Sequence, residues 1–308
     1  MKKIITYLVI ILLLAIVYIN RDAIMKHALN EFVYKYSIVE QEANEYKKNL
    51  NISYVKETKD FFPKNKQDII NITYTSLNNG VDNFTYYCTK EYENCMRDTE
   101  SLASDSETLS TINNFVHPYN SYSKLAFKIN SYGKVEISVT KQYTKEEIIK
   151  INNKVDEIYT NIINDSMNTN DKIKAIHDHI INNSAYDQVK ADLITNGSTD
   201  TSSGYKSESA YGVLLQRHGI CGGFSDAMEL FLSKLKLDSY KIASETHIWN
   251  LVYLDGKWLH LDLTWDNPVV NGDGKLLLHD FYLIETNRLT EINSGHHFYN
   301  KDIYIEAK

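Results

Sequence analysis

Asp255-Gly256 separates two runs of alternating side chains, His247 to Leu254 and Lys257 to Thr264, and this arrangement constrains the fold more than any other stretch. Aspartate followed by glycine tolerates the positive φ angles of a two-residue turn, so the runs are expected to pair as an antiparallel hairpin. Leu254 then faces Lys257, and counting outward sets Trp249 opposite Asp262 and His247 opposite Thr264. His247 and Asp262 become diagonal neighbours on one face, roughly 7–8 Å apart at the backbone, a gap that leaning side chains can close. Trp249, Tyr253, Trp258, His260 and Thr264 share that face. Ile248, Val252, Leu254, Leu259, Leu261 and Leu263 make the other a core surface, leaving the His247 face for chemistry.

A cysteine stands upstream in a setting that suits it to the same chemistry. Cys221 lies among Gly219, Gly222 and Gly223, and Phe224, Ala227, Met228, Phe231 and Leu235 then recur at helical spacing. The thiol therefore opens a helix, where unpaired N–H groups and the positive end of the dipole favour a thiolate.

The flanking chain sorts into four stretches. Residues 1–20 begin Met-Lys-Lys and continue as an apolar run from Ile4 to Ile19, expected to be a signal anchor or transmembrane segment, with a signal peptide's apolar region as the alternative. Residues 21–60 are expected to be a helical stalk or linker, with helix over Asp22 to Leu50. Residues 61–144 read as a small α+β domain of unknown role, with strands at Ile69 to Thr75, Phe84 to Cys88, Lys124 to Asn130 and Lys134 to Thr140. Residues 145–308 hold the chemistry, entered through helices at Lys145 to Asn164 and Asp171 to Asn183. The Gly/Ser/Thr-rich stretch Asn196 to Ser209 is a loop that could gate entry to the thiol, or a solvated insertion; a short helix, Ala210 to His218, follows it. Asn271-Gly272-Asp273-Gly274 reads as a turn, too short for a calcium loop.

Three cysteines allow one pair and one free thiol, and Cys88 and Cys95 bracket a short loop, so a disulfide there is expected in an oxidising compartment; three reduced thiols are the alternative. The net charge of −7 and only four arginines argue against nucleic acid as a partner. His177 and His179 are two apart on their helix and cannot share a metal, so no metal and no cofactor are expected.

Four blocks carry a family resemblance: Ser209-Ala210-Tyr211-Gly212-Val213-Leu214-Leu215, Gly219 to Ser225 around Cys221, His247-Ile248-Trp249-Asn250-Leu251-Val252, and Leu261-Asp262-Leu263-Thr264-Trp265-Asp266. Together they resemble the bacterial transglutaminase-like superfamily over roughly residues 145–300. The resemblance implies an α+β, papain-like core with helices packed on an antiparallel sheet, preceded here by the small α+β domain and the N-terminal membrane helix. It implies Cys221 as nucleophile, His247 as base and acid, and Asp262 as the group that orients the imidazole. The Cys221 N–H is the natural oxyanion donor. Gln216 or a residue of the preceding loop is the candidate for a second donor, and Gly222, Trp249 and Asn250 are expected around the site. His260 is expected at the surface or one layer out, Asp266 one layer out or as a loop cap, and His296 and His297 are given no role.

The expectation is an exported, membrane-anchored thiol enzyme that attacks peptide or side-chain amides of a protein or peptide substrate through an acyl-enzyme. Water as acceptor makes it a peptidase or amidase and an amine makes it a transglutaminase, with water the default. The alternative is a non-catalytic envelope scaffold or interaction module on the same fold. The sequence leaves the oligomeric state open.

Overall fold

The computed structural model describes residues 2–28, 41–268, 276–292 and 295–308. The expected turn at Asn271 to Gly274 lies outside them. Helices α1 (Lys2–Ile19) and α2 (Arg21–Ala28) come first. No helix among the described residues is long and apolar enough to cross a membrane, so the expected membrane helix is not supported. The uncharged stretch of α1 is short of the ~20 apolar residues of a typical span. Residues 41–50 form a turn and extended chain rather than the expected helix. Their polar groups are held by tertiary bonds: Asn44 pairs with Asn120 at 2.7 Å, and the Lys48 backbone is held from both sides by Asn78, at 3.1 and 2.7 Å.

The stretch containing Ile69 to Thr75 is a helix, α3 (Lys66–Asn78), not a strand. Asn65 caps it through the Asp68 N–H, and the Thr73 and Thr75 hydroxyls bond back to the Ile69 and Asn71 carbonyls at 2.9 and 2.7 Å. Its β-branched residues are therefore satisfied within the helix, and burial from Ile69 to Asn78 on nearly every side hides the helical period. Strand β1 (Asn83–Tyr87) follows, then two helices that the sequence reading lacked, α4 (Cys95–Ala103) and α5 (Ser106–Asn114). A Cys88–Cys95 disulfide joins the end of β1 to the start of α4. Strands β2 (Tyr122–Ile129) and β3 (Lys134–Lys141) pair with Leu125 opposite Val139 and Phe127 opposite Ile137, giving a sheet in the order β1-β3-β2.

Helix α6 (Lys145–Ile162) starts on a Thr144/Glu147 capping box, and α7 (Thr169–Asn183) on an Asn168 cap. A short β4 (Ala185–Tyr186) leads to α8 (Gln188–Thr195). The loop that follows is tied at its far end: Ser203 and Ser207 both donate to Asp187, and the Ser207 carbonyl accepts from Ile220 N at 2.9 Å. The expected helix before the thiol is one wide turn, Gly212–Gln216, closed by Arg217 at φ 61°. Strand β5 (His218–Gly219) then pairs in parallel with β4, Tyr186 opposite Gly219.

Helix α9 (Cys221–Lys234) is central and buried from Gly223 to Leu232. Gly223 permits its close approach to the preceding loop, since a Cβ there would lie 2.3 Å from the Ser207 carbonyl oxygen. Strands β6 (Ser239–Ala243), β7 (Ile248–Leu254) and β8 (Lys257–Leu261) form an antiparallel sheet in that order. Asp255 and Gly256 turn the hairpin at φ 51° and 82°, and the pairs run from Leu254 opposite Lys257 to Asn250 opposite Leu261, the expected register. Beyond them, α10 (Thr286–Ile292) and the tail 295–308 return to the sheet, with Ile284 bridged to His260 and Tyr299 to Ser244.

Both faces of this sheet are covered. Val252, Leu254, Leu261 and Leu263 pack with Phe224, Met228 and Phe231 of α9 and with the isoleucines of α7. On the other face Tyr240, Ile242, Trp249 and Leu251 join Phe115 and Val116 of the first unit, Phe281, and Tyr304 of the tail. The hairpin face expected to be free for chemistry is thus mostly core.

Buried polar groups fix α9 from beneath. Lys241 reaches Asp226 at 2.6 Å, and Tyr143 donates to the same carboxylate at 2.5 Å while accepting from Ala210 N at 2.9 Å. Lys48 pairs with Glu229 and donates to the Ser239 carbonyl at 2.5 Å. Glu229 also accepts from the Ser239 hydroxyl at 2.8 Å and from Asn250 at 3.1 Å.

Candidate active site

Three elements converge at the start of α9. Cys221 is its first residue, partly exposed and not disulfide-bonded. No side chain caps this helix end, since Ile220 holds the cap position, so its first N–H groups remain available to a ligand. His247 sits immediately before β7 in a tight turn, its N–H bonded to the Ser244 hydroxyl at 3.1 Å and its carbonyl accepting from Ser244 N at 2.8 Å. Asp262 immediately follows β8. The Ser225 hydroxyl, 2.8 Å from the Cys221 carbonyl and 3.0 Å from the Ile248 carbonyl, locks the helix start against the residue after His247.

The diagonal pair closes into a direct bond, with His247 Nε2 2.5 Å from Asp262 Oδ2. A carboxylate only accepts, so His247 donates from Nε2, which leaves Nδ1 for another partner, and Cys221 lies near enough to act on the same ring. Asp262 Oδ1 accepts from the backbone N–H groups of Thr264 and Trp265 at 2.9 and 3.2 Å. Both side chains are nearly dry, His247 8% and Asp262 2% exposed. Burial pulls the His247 pKa down, but the charge and hydrogen bond of Asp262, together with Cys221, outweigh it and raise it to about 10. Burial pushes the Asp262 pKa up, while His247 and then His297 pull it below the usual carboxylate range. The imidazole is thus held as a cation beside the thiol over the neutral pH range.

Trp249 stacks on the His247 ring at 5.5 Å and 14°, and Trp265 meets it edge-on at 6.3 Å. Trp249 is fully buried, with its indole N–H on His260 Nδ1 at 3.0 Å. His260 Nε2 meets the Thr286 hydroxyl at 3.1 Å, and burial lowers the His260 pKa to about 3, so this ring stays neutral behind the tryptophan. Asn250, expected around the thiol, is instead bound to the Ser225 carbonyl and Glu229, both at 3.1 Å, tying β7 to α9. The Gln216 side-chain oxygen accepts from Lys206 N at 2.7 Å, which anchors the loop. Gly222 lies against the Glu208 carbonyl, 3.3 Å from where a Cβ would stand. Tyr186 borders the site: burial, then the Cys221 and Asp262 charges, push its phenol up to about 12.

Residues 156–263 match the family model of the transglutaminase-like superfamily, a span that includes Cys221, His247 and Asp262. Residues 156–263 are a transglutaminase-like domain. Among solved structures, one described as a TGase is 20% identical with a TM-score of 0.36, over 47% of this chain and 45% of that one. Another, "Putative Cysteine Protease from Cytophaga hutchinsonii", is 15% identical with a TM-score of 0.27, over 50% of this chain and 65% of that one. The chain thus spans less than two thirds of the length of either. No curated protein matches it.

The domain holds two polar pairs that sequence reasoning did not assemble. His177 of α7 is fully buried and bonds Asp266 at 3.1 Å, while Asp266 also accepts from Phe281 N at 3.0 Å. Asp266 therefore cross-links the turn after Asp262 to α7 and to the later chain. On the outer side of His177, Asp178 meets His279 at 2.7 Å, and the Lys174 ammonium reaches both, at 3.1 and 2.6 Å. The second addition is His297, whose Nε2 lies 2.9 Å from Asp262 Oδ2, the oxygen that also binds His247. It comes from the tail, 35 residues after Asp262, and no local periodicity links the two. The only sequence signal was the histidine pair itself, His296-His297.

Proposed function

We propose that the protein is a thiol enzyme that attacks an amide carbonyl and carries the acyl group on Cys221. The observation that carries this reading is the His247–Asp262 bond of 2.5 Å, on an imidazole whose neighbours include the free Cys221 thiol at the start of α9. The thiolate adds to the carbonyl carbon, and the developing oxyanion meets the uncapped N–H groups at the start of α9, Cys221's own among them. Collapse breaks the C–N bond, and the leaving amine takes the proton of His247 Nδ1. A thioester remains. His247, now neutral, removes a proton from the acceptor, whose oxygen or nitrogen attacks the thioester and releases the thiolate. Asp262 keeps the same Nε2–H tautomer throughout.

Substrate and address follow as part of the proposal. A peptide or protein amide is the expected substrate, with water as the acceptor, since the Cys221 side chain is partly exposed. An exported body tethered at the membrane through the α1 region is supported by the exposed apolar side chains from Ile4 to Ile19 and by the Cys88–Cys95 disulfide. Nucleic acid is not proposed as a partner, given the net charge of −7.

The acceptor is read by supplying a mixed peptide pool, with and without excess primary amine, and measuring new amino termini, released ammonia and amine-tagged peptide. Cys221-dependent release of amino termini or ammonia, with little amine incorporated, is expected. Dominant incorporation makes the protein a transglutaminase. The same products from Cys221→Ala would remove the basis for a thiol enzyme.

A further inference from the structure

Asp262 Oδ2 is shared by two imidazoles, and only one of them has been given work. His297 is 3% exposed, its Nε2 lies 2.9 Å from that oxygen, and its Nδ1 has no hydrogen-bond partner among the described residues. An acceptor-only carboxylate obliges His297, like His247, to donate from Nε2. The ring cannot turn away easily. It stacks on Phe281 at 5.0 Å and 16°, meets Trp249 and Trp265 edge-on at 4.7 and 5.2 Å, and stands at 84° to the His247 ring. A buried polar ring caged by aromatics, with a single described hydrogen bond, is costly to keep unless that bond is needed.

Resting on the thiol-enzyme reading, we propose that His297 is a positioning residue: it clamps Asp262 and shares the negative charge that Asp262 presents to His247. Two N–H donors on one oxygen each receive less of its charge than one donor alone would. Oδ1 is already held by the Thr264 and Trp265 amides, so the carboxylate keeps its orientation and the main adjustable quantity is the charge facing His247. That charge sets how firmly His247 keeps the proton that it must deliver to the leaving amine. The charged or titratable neighbours of this unit are Asp262, His247 and His260 from the hairpin, Cys221 from α9 and Tyr186 from β4. His297 also ties the tail 295–308 to the reacting groups, coupling closure of this last segment to assembly of the site.

The test is the rate of Cys221 alkylation by iodoacetamide, a neutral probe, between pH 4 and 11 in the full chain and its variants. The native profile should show an upper inflection where His247 loses its proton, absent in His247→Ala. His297→Phe keeps an aromatic ring in the cage and deletes the donor. It should move the upper inflection up by roughly half a pH unit or more, because the undivided charge of Asp262 holds the imidazolium more strongly. His297→Gln, whose amide nitrogen can stand near the place of Nε2, should bring the inflection back towards native. A native upper inflection left unmoved by His297→Phe overturns the proposal while leaving the thiol-enzyme reading intact. Native and His247→Ala profiles that coincide overturn both. Should His297→Phe not fold, His297→Asn, too short to reach Asp262, is compared with His297→Gln, and equal inflections in those two overturn the proposal.

Discussion

Replacing His247 with alanine is expected to slow alkylation of Cys221 at pH 6 by about a hundredfold or more. A thiol without a basic neighbour ionises near pH ~8.5, so at pH 6 only about one molecule in several hundred would be thiolate. In the native protein the neighbouring imidazole holds its proton up to about pH 10. A neighbouring cation favours a thiolate over a thiol, and uncapped N–H groups at a helix start act in the same direction. Asp262→Ala should have an effect in the same direction, since it removes both the charge that keeps His247 cationic and the acceptor that fixes its tautomer. Rates are read from the mass of the peptide containing Cys221 after timed exposure to iodoacetamide. Equal rates in native protein and His247→Ala would mean that the imidazole does not govern the thiol.

The second large effect concerns stability. Glu229→Ala is expected to lower the free energy of unfolding by about 3–5 kcal/mol, because it leaves the Lys48 ammonium buried without its counter-charge. Burial already pulls the Lys48 pKa below its usual range, with Glu229 pulling it back. The Ser239 hydroxyl and the Asn250 amide lose the same acceptor. The double variant Lys48→Met with Glu229→Gln, which removes both charges and keeps stems of similar length, should cost much less than Glu229→Ala. Urea unfolding followed by tryptophan fluorescence measures both, since Trp249, Trp258 and Trp265 all lie in or beside the hairpin. A loss below about 1 kcal/mol in Glu229→Ala would show that water reaches Lys48 and that the pair does not hold α9 in place.

The parts of the site that were legible in the sequence are those fixed by short-range rules. The Asp255-Gly256 turn sets the hairpin register, and the register alone makes His247 and Asp262 diagonal neighbours. Cys221 at a helix start follows from three glycines and a helical stripe. Elements stabilised by tertiary burial were not legible. α3 is buried on nearly all sides, so its isoleucines and threonines read as a strand. The second apolar face of the hairpin was present as Trp249 and Leu251, but its cover comes from Phe115 and Tyr304, far off in both directions along the chain. His297 and the His177–Asp266 pair meet their partners across 35 and 89 residues, and pattern reading does not reach over such separations. Asn250 alternates with His247 and Trp249 and so falls on the α9 side of the strand, where Glu229 and the Ser225 carbonyl take it.

The measurement that bears most directly on the central claim is capture of the acyl group itself. Protein incubated with a mixed peptide pool is quenched in acid within the first turnover and digested, and the peptide containing Cys221 is weighed. The account predicts a thioester-sized increase on that peptide, lost on treatment with hydroxylamine, absent from Cys221→Ala and strongly reduced in His247→Ala. Product formed while the Cys221 peptide stays unmodified, or formed equally by Cys221→Ala, would contradict it.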